Sequence, residues 1–188
     1  HLKKVCLMDR RAAIKNISLA FGYTIAAPVL MNILTSCNTK KSIKIFTFLT
    51  KQEGYIIKNY IDFIFDDEYF PLVKFMNLPL FIDEIFNLTV RKKGKELFKQ
   101  GSLEFEKKFM SVSKKKPLKG TSQEFAILFN TYYNIDEEKK AIILSKINTD
   151  FETLESESEK STLLIYHFLF TLREKLLFGY CTSEEFLS

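Results

Sequence analysis

Residues 50–65 read TKQEGYIIKNYIDFIF, and the reading of this stretch decides the fold class. Thr50, Lys51, Gln52 and Glu53 stand in the order of a capping box, in which the Thr side chain accepts from the backbone N–H three residues on and the Glu carboxylate reaches back. Tyr55, Ile56, Tyr60 and Ile61, with Phe63 and Ile64, then recur at helical spacing. This predicts a helix to about Phe65 that buries one face. Asp66, Asp67 and Glu68 end the pattern, and Pro71 marks a loop.

The same signals recur down the chain. Pro79 suits the first turn of a second helix, with Leu80, Phe81, Ile82, Ile85 and Phe86 apolar and Asp83 and Glu84 expected to face out. A third helix is predicted from about Arg91 to Val112, its buried stripe carried by Leu97, Phe98, Phe105 and Phe109, with Gly94 and Gly101 weakening its continuity. Lys114 to Gly120 reads as a loop. Thr121-Ser122-Gln123-Glu124 repeats the capping box ahead of Phe125, Leu128, Phe129 and Tyr132. Asp136, Glu137 and Glu138 place carboxylates where a helix dipole favours them, before Ile142, Ile143 and Ile147. The last helix, about Glu157 to Phe178, turns Leu163, Leu164, His167, Phe170 and Leu177 inward and is predicted to stop at Gly179 as its C′ residue. Thr182 to Glu185 would begin one more turn.

Composition agrees with this reading. The chain has 188 residues and 46% hydrophobic side chains, enough to bury a core in one domain. Nineteen Phe, no Trp, six Gly and four Pro favour long helices over a turn-dense β-sandwich. The expected fold is all-α, a compact domain of about five to seven helices over residues 50–188. A signal helix within residues 1–37 and a tether over 38–49, carrying the short β-like run SIKIFTFL, are expected to precede it.

The leader carries most of the charge. Residues 1–36 hold Lys3, Lys4, Arg10, Arg11 and Lys15 against Asp9, while the remainder has 23 basic and 22 acidic residues. The overall +5 is therefore no argument for a phosphate-binding surface. Met8 is expected as the initiator, with His1–Leu7 upstream read-through or an alternative start. Asp9-Arg10-Arg11-Ala12-Ala13-Ile14-Lys15 resembles a twin-arginine export signal, an address read by a receptor that carries proteins across already folded. Ile17 to Leu34 is apolar but interrupted by Ser18, Gly22, Thr24, Pro28 and Asn32, which fits a signal-peptide h-region better than a membrane span. Leu34-Thr35-Ser36-Cys37 resembles a lipobox, whose cysteine is lipid-modified and becomes the new N-terminus. A periplasmic, membrane-anchored lipoprotein of a Gram-negative bacterium is expected. Cys6 precedes Met8 and Cys37 would be lipidated, so no disulfide is expected at Cys181.

Catalytic patterns are sparse in the remaining chain. No Gly-rich phosphate loop, CxxCH, GxSxG or HExxH is present. His167 stands alone on an apolar helix face, the usual setting of a core or interface histidine. Asp66, Asp67 and Glu68 suit a divalent cation or simple solvation, and Cys181 has no visible activating base. Neither a catalytic residue, nor a cofactor site, nor a metal site is expected. The aromatic surface around Tyr132 and Tyr133 and the last helix, with His167 and Tyr180, is the candidate contact for a partner. A stand-alone helical lipoprotein that binds a small apolar ligand or serves the envelope structurally is the rival reading.

The order of the twin-arginine leader, the helix opening near Thr50, LPLFIDEIF at 78–86, KELFKQGSLEFEKKF at 95–109 and LREKLLFGYCTSEEF at 172–186 resembles the gluconate 2-dehydrogenase subunit 3 family, with Gly179, Tyr180, Thr182, Ser183 and Glu184 the most specific part. The resemblance implies a non-catalytic small subunit. Its companion would be a periplasmic FAD-containing large subunit of the glucose–methanol–choline oxidoreductase type, often with a cytochrome c as electron acceptor. The small subunit is expected to help that companion fold and leave the cell.

Overall fold

The computed structural model describes residues 46–65, 69–147 and 151–183. The expected signal with Arg10 and Arg11, the lipidation site Cys37, most of the tether and the acidic run 66–68 lie outside the described residues. Within them the chain forms six α-helices and no strand. These are α1 (Lys51–Ile64), α2 (Leu78–Thr89), α3 (Lys92–Ser113), α4 (Ser122–Tyr133), α5 (Glu137–Lys146) and α6 (Glu157–Thr182). Short 3₁₀ turns occupy Val73–Phe75, Pro117–Lys119 and Phe151–Thr153. No helix among the described residues is long and apolar enough to cross a membrane.

The helix starts follow local chemistry. Thr50 and Thr121 both close the reciprocal capping box with Glu53 and Glu124. Asn77, Asp136 and Ser156 cap α2, α5 and α6 by accepting from the backbone N–H three residues on. Each satisfies one of the donors a helix leaves open at its beginning. Lys114 ends α3 in the left-handed region at φ 58°.

α6 is the axis around which the others pack. Leu163 to Tyr166, Phe168, Leu169, Leu172, Leu176 and Phe178 to Tyr180 are all buried, so apolar side chains run almost round the helix. A helix apolar on all sides belongs in the middle of a bundle. Its closest neighbour is α3, antiparallel to it. Gly101 lies against the Leu164 carbonyl and Phe168, where an added Cβ would come within 2.4 Å of the carbonyl oxygen. Further along the same seam Ser161 donates to Glu104 at 2.7 Å, and the Phe98 and Phe168 rings sit 5.0 Å apart. Gly101 therefore does not interrupt α3. It lets two backbones meet at a distance that no larger residue allows.

Gly179 corrects the expected end of the last helix. It is buried inside α6, where a Cβ would reach within 2.7 Å of the Phe81 ring, and the helix continues to Thr182. Glycine here answers to a neighbouring helix and not to a left-handed turn. On α5 Ile142 is 51% exposed, and Ile143 alone is buried.

Candidate functional site

Two groups of polar side chains explain how the ends of the domain are held. Asp83, expected to face solvent, is 2% exposed. Its carboxylate accepts from the backbone N–H groups of Thr47, Phe48 and Leu49 at 2.9, 2.8 and 2.7 Å. Three charge-assisted bonds recover the desolvation cost of one buried carboxylate. The Phe48 ring stacks on Phe86 at 5.0 Å, with Lys99 Nζ 4.2 Å above it. The same ammonium donates to the Phe48 carbonyl at 2.8 Å and to Glu53 at 2.5 Å. Residues 46–49, expected as tether with a β-like run, instead bend into the bundle and are clamped by α2 and α3.

The closing Gly-Tyr-x-Thr-Ser pattern seals the opposite part of the core. Tyr180 is 4% exposed and packs on Phe65 and Phe70 at 5.6 and 5.3 Å. Thr182 donates to the Phe178 carbonyl at 2.7 Å, and Ser183 to that of Tyr180 at 3.0 Å. Tyr180 is thus enclosed and offers no surface, a correction to its expected role in a contact. Glu184 lies outside the described residues.

Tyr132 is also turned inward, edge-on to Tyr166 at 5.2 Å. Burial pushes its phenol up to about 12. Tyr133 is half-buried, and its hydroxyl pairs with that of Tyr60. Tyr60 donates onward to the Leu169 carbonyl at 3.0 Å, so Tyr133 donates to Tyr60. Both phenols are raised by burial, while the nearby Arg173 charge draws them down.

Beside this pair α4, α5 and α6 leave an open groove of about 450 Å³. Tyr133, Ile135, Leu144, Phe170 and Leu177 supply its apolar wall and Arg173 its cation. Glu137 and Lys140, on the lip, are paired with each other at 3.3 Å. Of the four expected contact residues the groove brings together Tyr132 and Tyr133. His167 lies elsewhere on α6, half-buried with the Phe151 ring edge-on at 6.0 Å and its Nδ1 buried without a hydrogen-bond partner. Burial lowers its pKa, as expected of an imidazole kept neutral in apolar surroundings. Arg173 was not singled out from the sequence. Its signal is the spacing Tyr166, Phe170, Arg173, Leu177, which sets one charge into an apolar helix face.

No group of three or more His, Cys, Asp or Glu able to hold a metal occurs among the described residues. Glu53 and Asp83, the buried carboxylates of the clamp, are both engaged in holding the fold together. Comparison of the chain with protein-family models, with curated proteins and with solved structures finds no match.

Proposed function

We propose that this chain is a non-catalytic accessory subunit, exported through Arg10 and Arg11 and held at a periplasmic membrane face by lipidated Cys37. It binds an FAD-dependent dehydrogenase of the glucose–methanol–choline type that oxidises a sugar or alcohol, helps it fold and carries it across the membrane. A cytochrome c often accepts the electrons in such assemblies. FAD belongs to the companion and not to this chain.

The observation that carries the reading is spatial. The three stretches on which the family resemblance rests form one packed unit. Phe86 of the first lies 4.2 Å from Phe98 of the second, and Phe81 of the first packs on Phe178 and Gly179 of the third. A shared set of buried contacts is what a common fold requires of these stretches. The clamp at residues 46–49 supports the same picture. It leaves only eight residues between Cys37 and Phe46, or about 30 Å at full extension, so a lipidated chain would hold its companion close to the membrane.

The deciding experiment changes Arg10 and Arg11 together to Lys in the cells of origin and follows both proteins. The expected result is that this chain and an FAD-loaded dehydrogenase both stay in the cytoplasm, and that periplasmic dehydrogenase activity falls at least tenfold. A dehydrogenase that reaches the periplasm with its full complement of FAD when this chain stays behind overturns the reading.

A further inference from the structure

The groove between α4, α5 and α6 holds a cation that no carboxylate among the described residues answers. Arg173 is half-buried, and its guanidinium makes no hydrogen bond or ion pair among the described residues. The nearest hydroxyls are committed to each other and to the Leu169 carbonyl. Glu137 already holds Lys140, and Glu174 follows Arg173 on α6 without turning back to it. A guanidinium set between apolar walls wants a planar acid, because the fork of N–H donors matches a carboxylate and the surrounding hydrocarbon strengthens the pair.

The walls specify what the acid must be attached to. Leu144 on α5 is 50% exposed, while Phe170 and Leu177 on α6 are half-buried. Their spacing across two helices presents a wide apolar trough with a charged lip, the shape that receives the apolar face of an amphipathic helix. An isolated acyl chain would leave the paired Glu137 and Lys140 and the outer Glu174 without a role, whereas a peptide has polar groups to meet them.

We propose that this groove is the docking site for an amphipathic segment of the companion subunit, whose Asp or Glu pairs with Arg173 and whose flanking apolar side chains cover Tyr133, Leu144, Phe170 and Leu177. The proposal rests on the accessory-subunit reading and adds to it the place of contact and the chemistry of the partner.

The test uses the tagged full chain recovered from its own cells, with flavin absorbance as the measure of bound companion. Arg173→Glu and, separately, Leu144→Glu are each expected to lower recovered flavoprotein at least tenfold while leaving the thermal unfolding of the chain unchanged. Leu144 is exposed enough that its substitution leaves folding intact. A benzophenone photo-crosslinker at position 144 should join a flavoprotein peptide that carries Asp or Glu within one helical turn. Reversing that acid to Arg should restore the complex with Arg173→Glu. Full recovery by both variants, or a crosslink elsewhere than an acidic segment, overturns the groove and leaves the accessory role standing. Failure of the unaltered chain to recover any flavoprotein overturns both. Binding of dodecanoate to the isolated chain that Arg173→Glu abolishes, with the complex unaffected, would assign the groove to a fatty acid and overturn the proposal as well.

Discussion

Asp83 shows how much one residue of this domain depends on partners far away in the chain. Acidic residues in the middle of a helix usually face water, and the neighbours Glu84 and Asn87 give no local reason to expect otherwise. Yet Asp83 takes three backbone N–H groups from a segment 34 to 36 positions earlier. Asn at this position would keep an acceptor for Phe48 and Leu49 but turn an N–H₂ donor toward the Thr47 N–H. Asp83→Asn is therefore expected to cost about 2 to 3 kcal/mol, since a hydrogen bond to a charged group is lost and a buried donor is left unmatched. Urea unfolding measures the loss, and hydrogen exchange at residues 47–49 should rise with it. A variant within 0.5 kcal/mol, about the scatter of an ordinary surface substitution, would mean that the clamp contributes nothing to stability.

At the scale of the helices, the seam between α3 and α6 decides the packing. Gly94 and Gly101 look alike in the sequence as weak points of one helix, since glycine disfavours a helix interior by about 1 kcal/mol relative to alanine. The structure separates them. At Gly101 a methyl group would run into the Leu164 backbone carbonyl, which cannot turn aside, whereas at Gly94 it would meet only the Cγ1 of Val90 at 2.8 Å. Gly101→Ala is expected to destabilise by about 1 to 3 kcal/mol through forced separation of the helices. Gly94→Ala should be neutral or stabilising by up to about 1 kcal/mol. Thermal denaturation of the pair tests this, and equal effects would refute the close-approach role of Gly101. A second close approach, between α2 and α6, accounts for Gly179, which serves Phe81 and not a turn.

For the whole molecule, burial of aromatic hydroxyls makes alkali the vulnerable side. An unfolded Tyr titrates near 10, and burial holds Tyr132 at about 12 in the folded chain, with Tyr60 and Tyr133 also raised. The folded state thus favours the neutral phenols, and the stability this adds is complete below pH about 10 and lost as pH climbs through the folded values. The unfolding free energy should fall steeply above pH 10, and Tyr132→Phe should flatten that slope in urea titrations at stepped pH. His167 acts in the opposite sense: its lowered pKa adds stability above about 6.5 that is lost as acid is added. His167→Gln should reduce the acid-side slope, and an unchanged slope in either variant would contradict its assignment. The all-α class, the six helix starts among the described residues and most of the buried stripe were legible in the sequence, because caps and helical periodicity are settled by atoms within a few residues of one another. The capping boxes at Thr50 and Thr121 and the core positions Phe98, Phe105, Phe125 and Phe129 all appear where that local chemistry puts them. Whether Asp83 meets water or the 47–49 backbone, whether Gly179 ends a helix or admits Phe81, whether Tyr180 faces a partner or the core, and that Arg173 meets no carboxylate among the described residues were decided only by the tertiary structure. These outcomes depend on which helix arrives alongside, and contacts between residues tens of positions apart leave no mark on the spacing of either.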